Sequence, residues 1–194
     1  MSLRWALIAL LTGRPMTGYD ISKSFSTSVA HVWHAPDSQI YPELNRMERD
    51  GLLSSVEVPW GKKGTKKEYH VTDEGLAAFR EWMESPLTPQ RQRDPAYLKA
   101  AYFDFADPAA VREQLRQQQT YWEEHLTMLR ETRKTLVDRT HPTLAARIAK
   151  LDEREAELTV RYKVHAYDGL IARARTELAW IEDGFALLDE LHST

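Results

Sequence analysis

The sequence predicts a mainly α chain with one small β-hairpin, divided into an N-terminal domain and a C-terminal domain of long helices. Three observations lead there. Apolar residues recur at helical spacing through most of the 194 residues. One stretch after Gly51 alternates instead, and is rich enough in β-branched residues for a strand. Beyond residue 95 the apolar residues step by four and three, the spacing of a helix-packing seam.

Residues 3–12 read as a first apolar helix. Its run from Trp5 to Leu11 is too short to span a bilayer. It follows Arg4 and so resembles a weak signal peptide, but no small-residue cleavage site comes after it. Arg14, Pro15 and Gly18 instead end the helix, and "GRPMTGYD" is expected to turn. A second helix is expected from about Thr17 to Val29, with Thr17 as N-cap and Tyr19, Ile21 and Phe25 on its buried face.

The third helix is "SQIYPELNRMERDGLL", with Ile40, Leu44 and Met47 turned inward and Gly51 as its stop. Pro42 is tolerable only near a helix start, where N–H groups lack intrahelical acceptors. A start at Asp37 or Ser38, or a slight bend at Tyr41, is therefore expected.

"LLSSVEVPW" and "KEYHVT" then make two strands around the glycine-punctuated loop "GKKGTK". Thr72 caps a fourth helix that begins with two acids and runs through Leu76, Phe79 and Met83. Three helices, a hairpin and a further helix over residues 1–84 describe a winged helix-turn-helix. The proline-rich segment 85–95 reads as a linker.

Residues 96–194 form the C-terminal domain. Val111, Leu115, Gln118, Trp122, His125, Leu129, Thr132 and Leu136 make one seam. Tyr167, Ile171, Ala174, Leu178, Ile181, Phe185 and Leu188 make another. "RTHPT" breaks the first helix, after which Leu144, Ile148, Leu151 and Leu158 restart the pattern. Such a helical hairpin is expected to lack a core of its own and to need a partner, most simply a second copy.

Composition narrows the function. Hydrophobic residues make up 42% and charged residues 28%, as in globular proteins. No cysteine is present, so disulfides and thiolate metal sites are excluded, in keeping with a reducing, cytoplasmic setting. The net charge of −3 gives no global push toward nucleic acid. Locally the picture differs, because Lys62, Lys63, Lys66 and Lys67 cluster at the hairpin against the single acid Glu68.

On a helical wheel, Ser38, Pro42, Asn45 and Arg49 oppose the buried face of the third helix, with Gln39 and Arg46 beside them. Ser, Asn, Gln and Arg are the side chains that bond to base edges and phosphates in a major groove. Standing alone this would equally suit a solvated face. Followed by a lysine-tipped wing, it offers double-stranded DNA two elements at once, a helix for the groove and a wing for the backbone.

Other constellations carry less. His31 and His34 lie near Asp37 without a third metal ligand, and "WEEH" is not a metalloprotease spacing. There is no phosphate loop and no nucleophile elbow. Neither an enzyme nor a metal or other cofactor is expected.

The successive stretches "ALIALLTGRPMTGYDISKSF", "SQIYPELNRMERDGLL" and "KKEYHVTDEG" resemble the signatures of the PadR family of transcriptional regulators. Pro15, Gly18 and Tyr19 match the first. Tyr41, Pro42, Leu44, Glu48, Gly51 and Leu52 match the second. Lys67, Tyr69, Thr72 and Gly75 match the third. The likeness covers about residues 3–84, and more loosely the helical tail.

The resemblance implies a cytoplasmic, nucleoid-associated homodimer joined through its C-terminal helices. It would act most often as a repressor released from operator DNA by a small aromatic or apolar effector. Tyr19 and Tyr41 join the DNA-contact candidates Ser38, Gln39, Pro42, Asn45, Arg49, Lys62, Lys63, Lys66 and Lys67. Tyr97, Tyr121, Trp122 and His125 are the effector candidates, since aromatic residues cluster just beyond the linker where a pocket is expected. The rival expectation is a winged-helix and coiled-coil module that docks on proteins and binds no specific DNA.

Overall fold

The computed structural model describes residues 3–25, 35–61, 64–88 and 93–192. The chain forms two compact units, Met1–Leu87 with Arg139–Thr159, and Thr88–Asp138 with Val160–Thr194. Residues 139–159, assigned from sequence to the C-terminal domain, therefore pack with the first unit.

In the first unit, α1 (Leu3–Leu11) buries Leu7, Ile8, Leu10 and Leu11. α2 (Gly18–Ser24) starts at the expected cap, with the Thr17 hydroxyl accepting the Asp20 N–H at 3.2 Å. α3 (Asp37–Arg49) turns Ile40, Leu44 and Met47 inward, as its apolar spacing requires. These residues share one core with Met16, Phe25, Leu53 and Tyr69.

The hairpin is β2 (Leu53–Trp60) against β3 (Gly64–Val71), in register from Leu53↔Val71 to Trp60↔Gly64. A two-residue strand, β1 (Met16–Thr17), pairs with the other edge of β3, so the sheet order is β1-β3-β2. The sequence reading treats β1 as a plain turn, and two residues cannot show a period. β1 covers an edge of β3 that would otherwise be open to other strands.

Two glycines set the closing geometry. Gly51 ends α3 at φ +76°, a left-handed conformation that side chains disfavour. Gly75, in α4 (Asp73–Glu84), lies so close to Leu52 that a Cβ would stand 2.2 Å from its carbonyl oxygen. Thr72 bonds both sides of this joint, donating its hydroxyl to the Gly51 carbonyl at 2.7 Å and accepting the Gly75 N–H at 3.0 Å. Phe79 packs partly on the core, whereas Met83 is exposed.

The first unit is completed by α7 (Pro142–Ile148) and the opening of α8 (Glu153–His192). The Thr143 carbonyl lies beside Gly13, 3.3 Å from where a Cβ would be. Arg139 bridges Glu153 and Glu157 at 2.8 and 2.9 Å.

The second unit holds α5 (Pro95–Ala100), a 3-10 turn at Phe103–Phe105, α6 (Pro108–Val137) and the rest of α8. Asp94 and Asp107 cap α5 and α6 through the N–H groups of Ala96 and Ala109. The two seams do bury side chains within the chain, and Val111, Leu115, Ile181 and Leu188 form one core cluster. The expectation that the hairpin has no core of its own is thus corrected. Leu187, Leu191 and Phe105 nonetheless stay exposed. Among the described residues no helix is long and apolar enough to cross a membrane.

Candidate nucleic-acid interface

The outer face of α3 carries Ser38, Gln39, Tyr41, Pro42, Asn45 and Arg49, all exposed. The helix starts at Asp37, so Pro42 is its sixth residue, beyond the turn in which a missing N–H is free of cost. It forgoes one bond, to the Ser38 carbonyl. Among the described residues, the side chains of Gln39, Asn45 and Arg49 have no hydrogen-bond or ionic partner.

The carboxylates of α3 and just past it are engaged in holding it. Arg4 of α1 reaches Glu43 at 3.0 Å and Asp50, just past the helix, at 2.8 Å. The Ser22 hydroxyl of α2 donates to Asp37. Glu48 accepts from the Ser55 hydroxyl and, at 2.8 Å, from the Lys67 ammonium, which ties the helix to both strands of the wing. The hydrogen bonds from Lys67 and then Ser55 hold the Glu48 carboxyl below its usual range. The same bond raises the Lys67 ammonium. Lys67, expected to face DNA, is therefore occupied by an internal pair.

The signature residues meet at the corner of this face. Tyr41 lies against Gly18, where a Cβ would stand 2.7 Å from its Cε1. The neighbouring Tyr19, expected on the buried side of α2, is instead 53% exposed. Its ring lies 6.3 Å from that of Trp60, and the Lys66 ammonium stands 2.7 Å from the Trp60 centroid and 4.7 Å from that of Tyr19. Trp60, absent from the sequence-derived candidates, is 55% exposed at the end of β2. A tryptophan beside a hairpin loop was its only sequence signal. Lys62 and Lys63, and the histidines His31 and His34, lie outside the described residues.

The arrangement offers one helix face with unspent hydrogen-bonding groups beside a cation held over two aromatic rings. Polar groups of the first kind read base edges, and a cation of the second kind can meet a phosphate.

The four effector candidates all fall in the second unit. The Tyr97 hydroxyl donates to the buried Glu177 carboxylate at 3.0 Å, and its ring lies 4.6 Å from that of Trp180. Burial and then Glu177 raise the Tyr97 hydroxyl. Tyr121 stacks on His125 at 5.8 Å, with Trp122 edge-on to both. Burial and then the Arg173 charge push the His125 imidazole down. None of the four lines the larger apolar groove of this unit. That groove, about 690 Å³, is walled by Phe103, Val111, Leu115, Trp180, Leu187 and Leu191. Among the described residues no cluster of three His, Asp or Glu could hold a metal ion.

Residues 7–81 match the model of the Transcriptional regulator PadR-like family. The Negative transcriptional regulator PadR of Bacillus subtilis (strain 168) is 35% identical over 103 residues, which cover 52% of this chain and 56% of that protein. The Probable transcriptional regulator Rv1176c of Mycobacterium tuberculosis is 31% identical over 91 residues, 47% of this chain and 48% of that one. The chain thus spans about half the length of these relatives. In fold, it is similar to Bacillus subtilis PadR in complex with operator DNA. The TM-score is 0.74 at 23% identity, over 97% of this chain and all of that one. The Vibrio cholerae virulence activator AphA gives a TM-score of 0.57 at 27% identity, over 94% and 99% of the two chains. Over residues 7–81 this chain is similar to a PadR-like domain.

Proposed function

We propose that this chain, built on a PadR-like domain, is a transcriptional regulator that binds operator DNA as a homodimer. α3 lies in the major groove, where Ser38, Gln39, Tyr41, Pro42, Asn45 and Arg49 form the contact face. Lys66, with Tyr19 and Trp60, meets the phosphates beside it, as do Lys62 and Lys63. Lys67 serves mainly as the brace between wing and helix. The observation that carries the reading is the outer face of α3. Gln39, Asn45 and Arg49 are left without partners there, on a helix whose carboxylates are bound to α1, α2 and the wing. A helix kept merely for packing would have no need of so firm a mount for unpaired polar groups.

Two copies would join through the exposed apolar residues of the second unit, Phe105, Leu187 and Leu191. They would then read two half-sites of a palindrome. Repression is the favoured mode, as in the regulator from Bacillus subtilis whose name is "negative". That protein's structure with p-coumaric acid supports a small aromatic effector here too, near Tyr97, Tyr121, Trp122 and His125.

Selection of bound duplexes from a random pool, followed by mobility shift, tests the proposal. Enrichment of a two-fold symmetric site is expected, lost in the Asn45→Ala/Arg49→Ala protein. Recovery of no motif, with equal retention of all duplexes, would overturn it.

A further inference from the structure

The second unit holds a groove that the DNA-binding reading leaves unused. It lies between α6 and α8, encloses about 570 Å³, and is lined by Arg130, Arg133, Lys134, Val137, Asp168, Ile171 and Arg175. Four cations thus face one carboxylate. Arg133 is taken up by that carboxylate, at 2.6 Å from Asp168. Arg130, Lys134 and Arg175 have no ion pair among the described residues.

Several other arginines on or beside these helices are paired instead. Arg112 pairs with Asp189, Arg116 with Glu113, Arg139 with Glu153 and Glu157, and Arg173 with Glu177. The chain as a whole carries more acids than bases, 29 against 26. Arg130, Arg133 and Lys134 stand at i, i+3 and i+4, where like charges repel on a helix. Arg175 adds to that field from the facing helix. A local excess of one sign within a concave site concentrates counter-ions of the other.

The geometry points to this groove as a binding site for a small polyvalent anion bearing a di- or polyphosphate. The guanidinium forks of Arg130 and Arg175, on opposite helices, suit its oxygens. Lys134 supplies a third charge. Val137 and the buried Ile171 provide apolar wall for a ring or carbon chain attached to the anion. The volume is that of a small-molecule pocket, not of an extended duplex track.

Inorganic pyrophosphate is the probe, titrated calorimetrically into the full chain at constant ionic strength set with potassium chloride. Saturable binding is expected at one site per chain, with Kd below about 1 mM. Lys134→Gln and Arg175→Gln should each weaken it by about tenfold. Asp168→Asn, which frees Arg133 and removes the opposing charge, should tighten it several-fold, a gain that a merely structural role would not produce. Arg116→Gln, the same charge change some 20 Å away along α6, should leave it unaltered. Three results would each overturn the proposal: no saturable binding, equal weakening by Arg116→Gln, or a shift by Arg175→Gln in oligomeric state without any change in pyrophosphate affinity. The last would make the groove a contact between chains.

Discussion

Replacing Gly18 with alanine sets two opposed effects against each other, and their balance can be worked out. Gly18 is the first residue of α2 and does not have a positive φ, so alanine fits its backbone. Taken alone, the change should stabilise the protein by about 0.4–1 kcal/mol, through the smaller entropy of the unfolded chain. The new Cβ, however, would stand 2.7 Å from Cε1 of Tyr41 and 3.4 Å from its Cδ1. Carbon atoms prefer about 3.5–4.0 Å, so the ring must retreat by roughly 1 Å. Tyr41 is 42% exposed and can swing outward, so the cost falls on its own packing and not on the backbone. We expect that cost to be about 1–2 kcal/mol.

Gly18→Ala should therefore be neutral or destabilising in the natural background and stabilising in a Tyr41→Ala background. The coupling between them should be about 1–2 kcal/mol. Urea unfolding of the four proteins measures it, at one protein concentration because assembly adds to apparent stability. DNA affinity gives a second reading, since the displaced ring belongs to the proposed contact face. Gly18→Ala should weaken binding, yet add nothing once Tyr41 is gone. Equal effects of Gly18→Ala in both backgrounds would refute the contact between Gly18 and Tyr41.

Three further outcomes are expected. Gly75→Ala brings a Cβ within 2.2 Å of the Leu52 carbonyl oxygen, a backbone atom with little freedom, and should cost about 2–3 kcal/mol in the same unfolding assay. In mobility shifts against salt, Lys66→Ala should lower the slope by about one unit, whereas Lys67→Ala should change it less, its charge being matched by Glu48. The Glu48 carboxyl, held below its ordinary value of 4.5, contributes stability that is present above that value and lost as pH falls through the lower folded-state value. The stability gap between the natural protein and Glu48→Gln should accordingly shrink on acidification below about pH 4.5.

Parts of this molecule are plain in its sequence for identifiable reasons. α3 has a strong apolar face at Ile40, Leu44 and Met47, and α4 has a threonine cap with two acids after it, so both are legible from local signals. β1 is not, because a strand of two residues is defined by its partner Tyr69 and not by its own pattern. α7 reads as helix in any arrangement, but nothing in its seven residues says which unit it joins. Tyr19 reads as buried because its ring is apolar, while its hydroxyl end favours water. At the candidate interface, charge counting marks Lys67 as readily as Lys66. Only the fold brings Glu48 to one and Trp60 to the other.

The return of residues 139–159 to the first unit has a consequence for synthesis. The core cluster of that unit running from Leu7 to Tyr69 is translated early, but α7, with its buried Leu144, follows only after residues 88–138. At ~5–20 residues per second the ribosome needs about 3–10 s to make the intervening stretch. During that interval the Gly13 edge of α1 lacks the Thr143 backbone that later covers it. A nascent chain arrested before residue 139 should hold its core yet be cut by protease near Gly13 and Arg14, and extension past residue 159 should remove that cleavage.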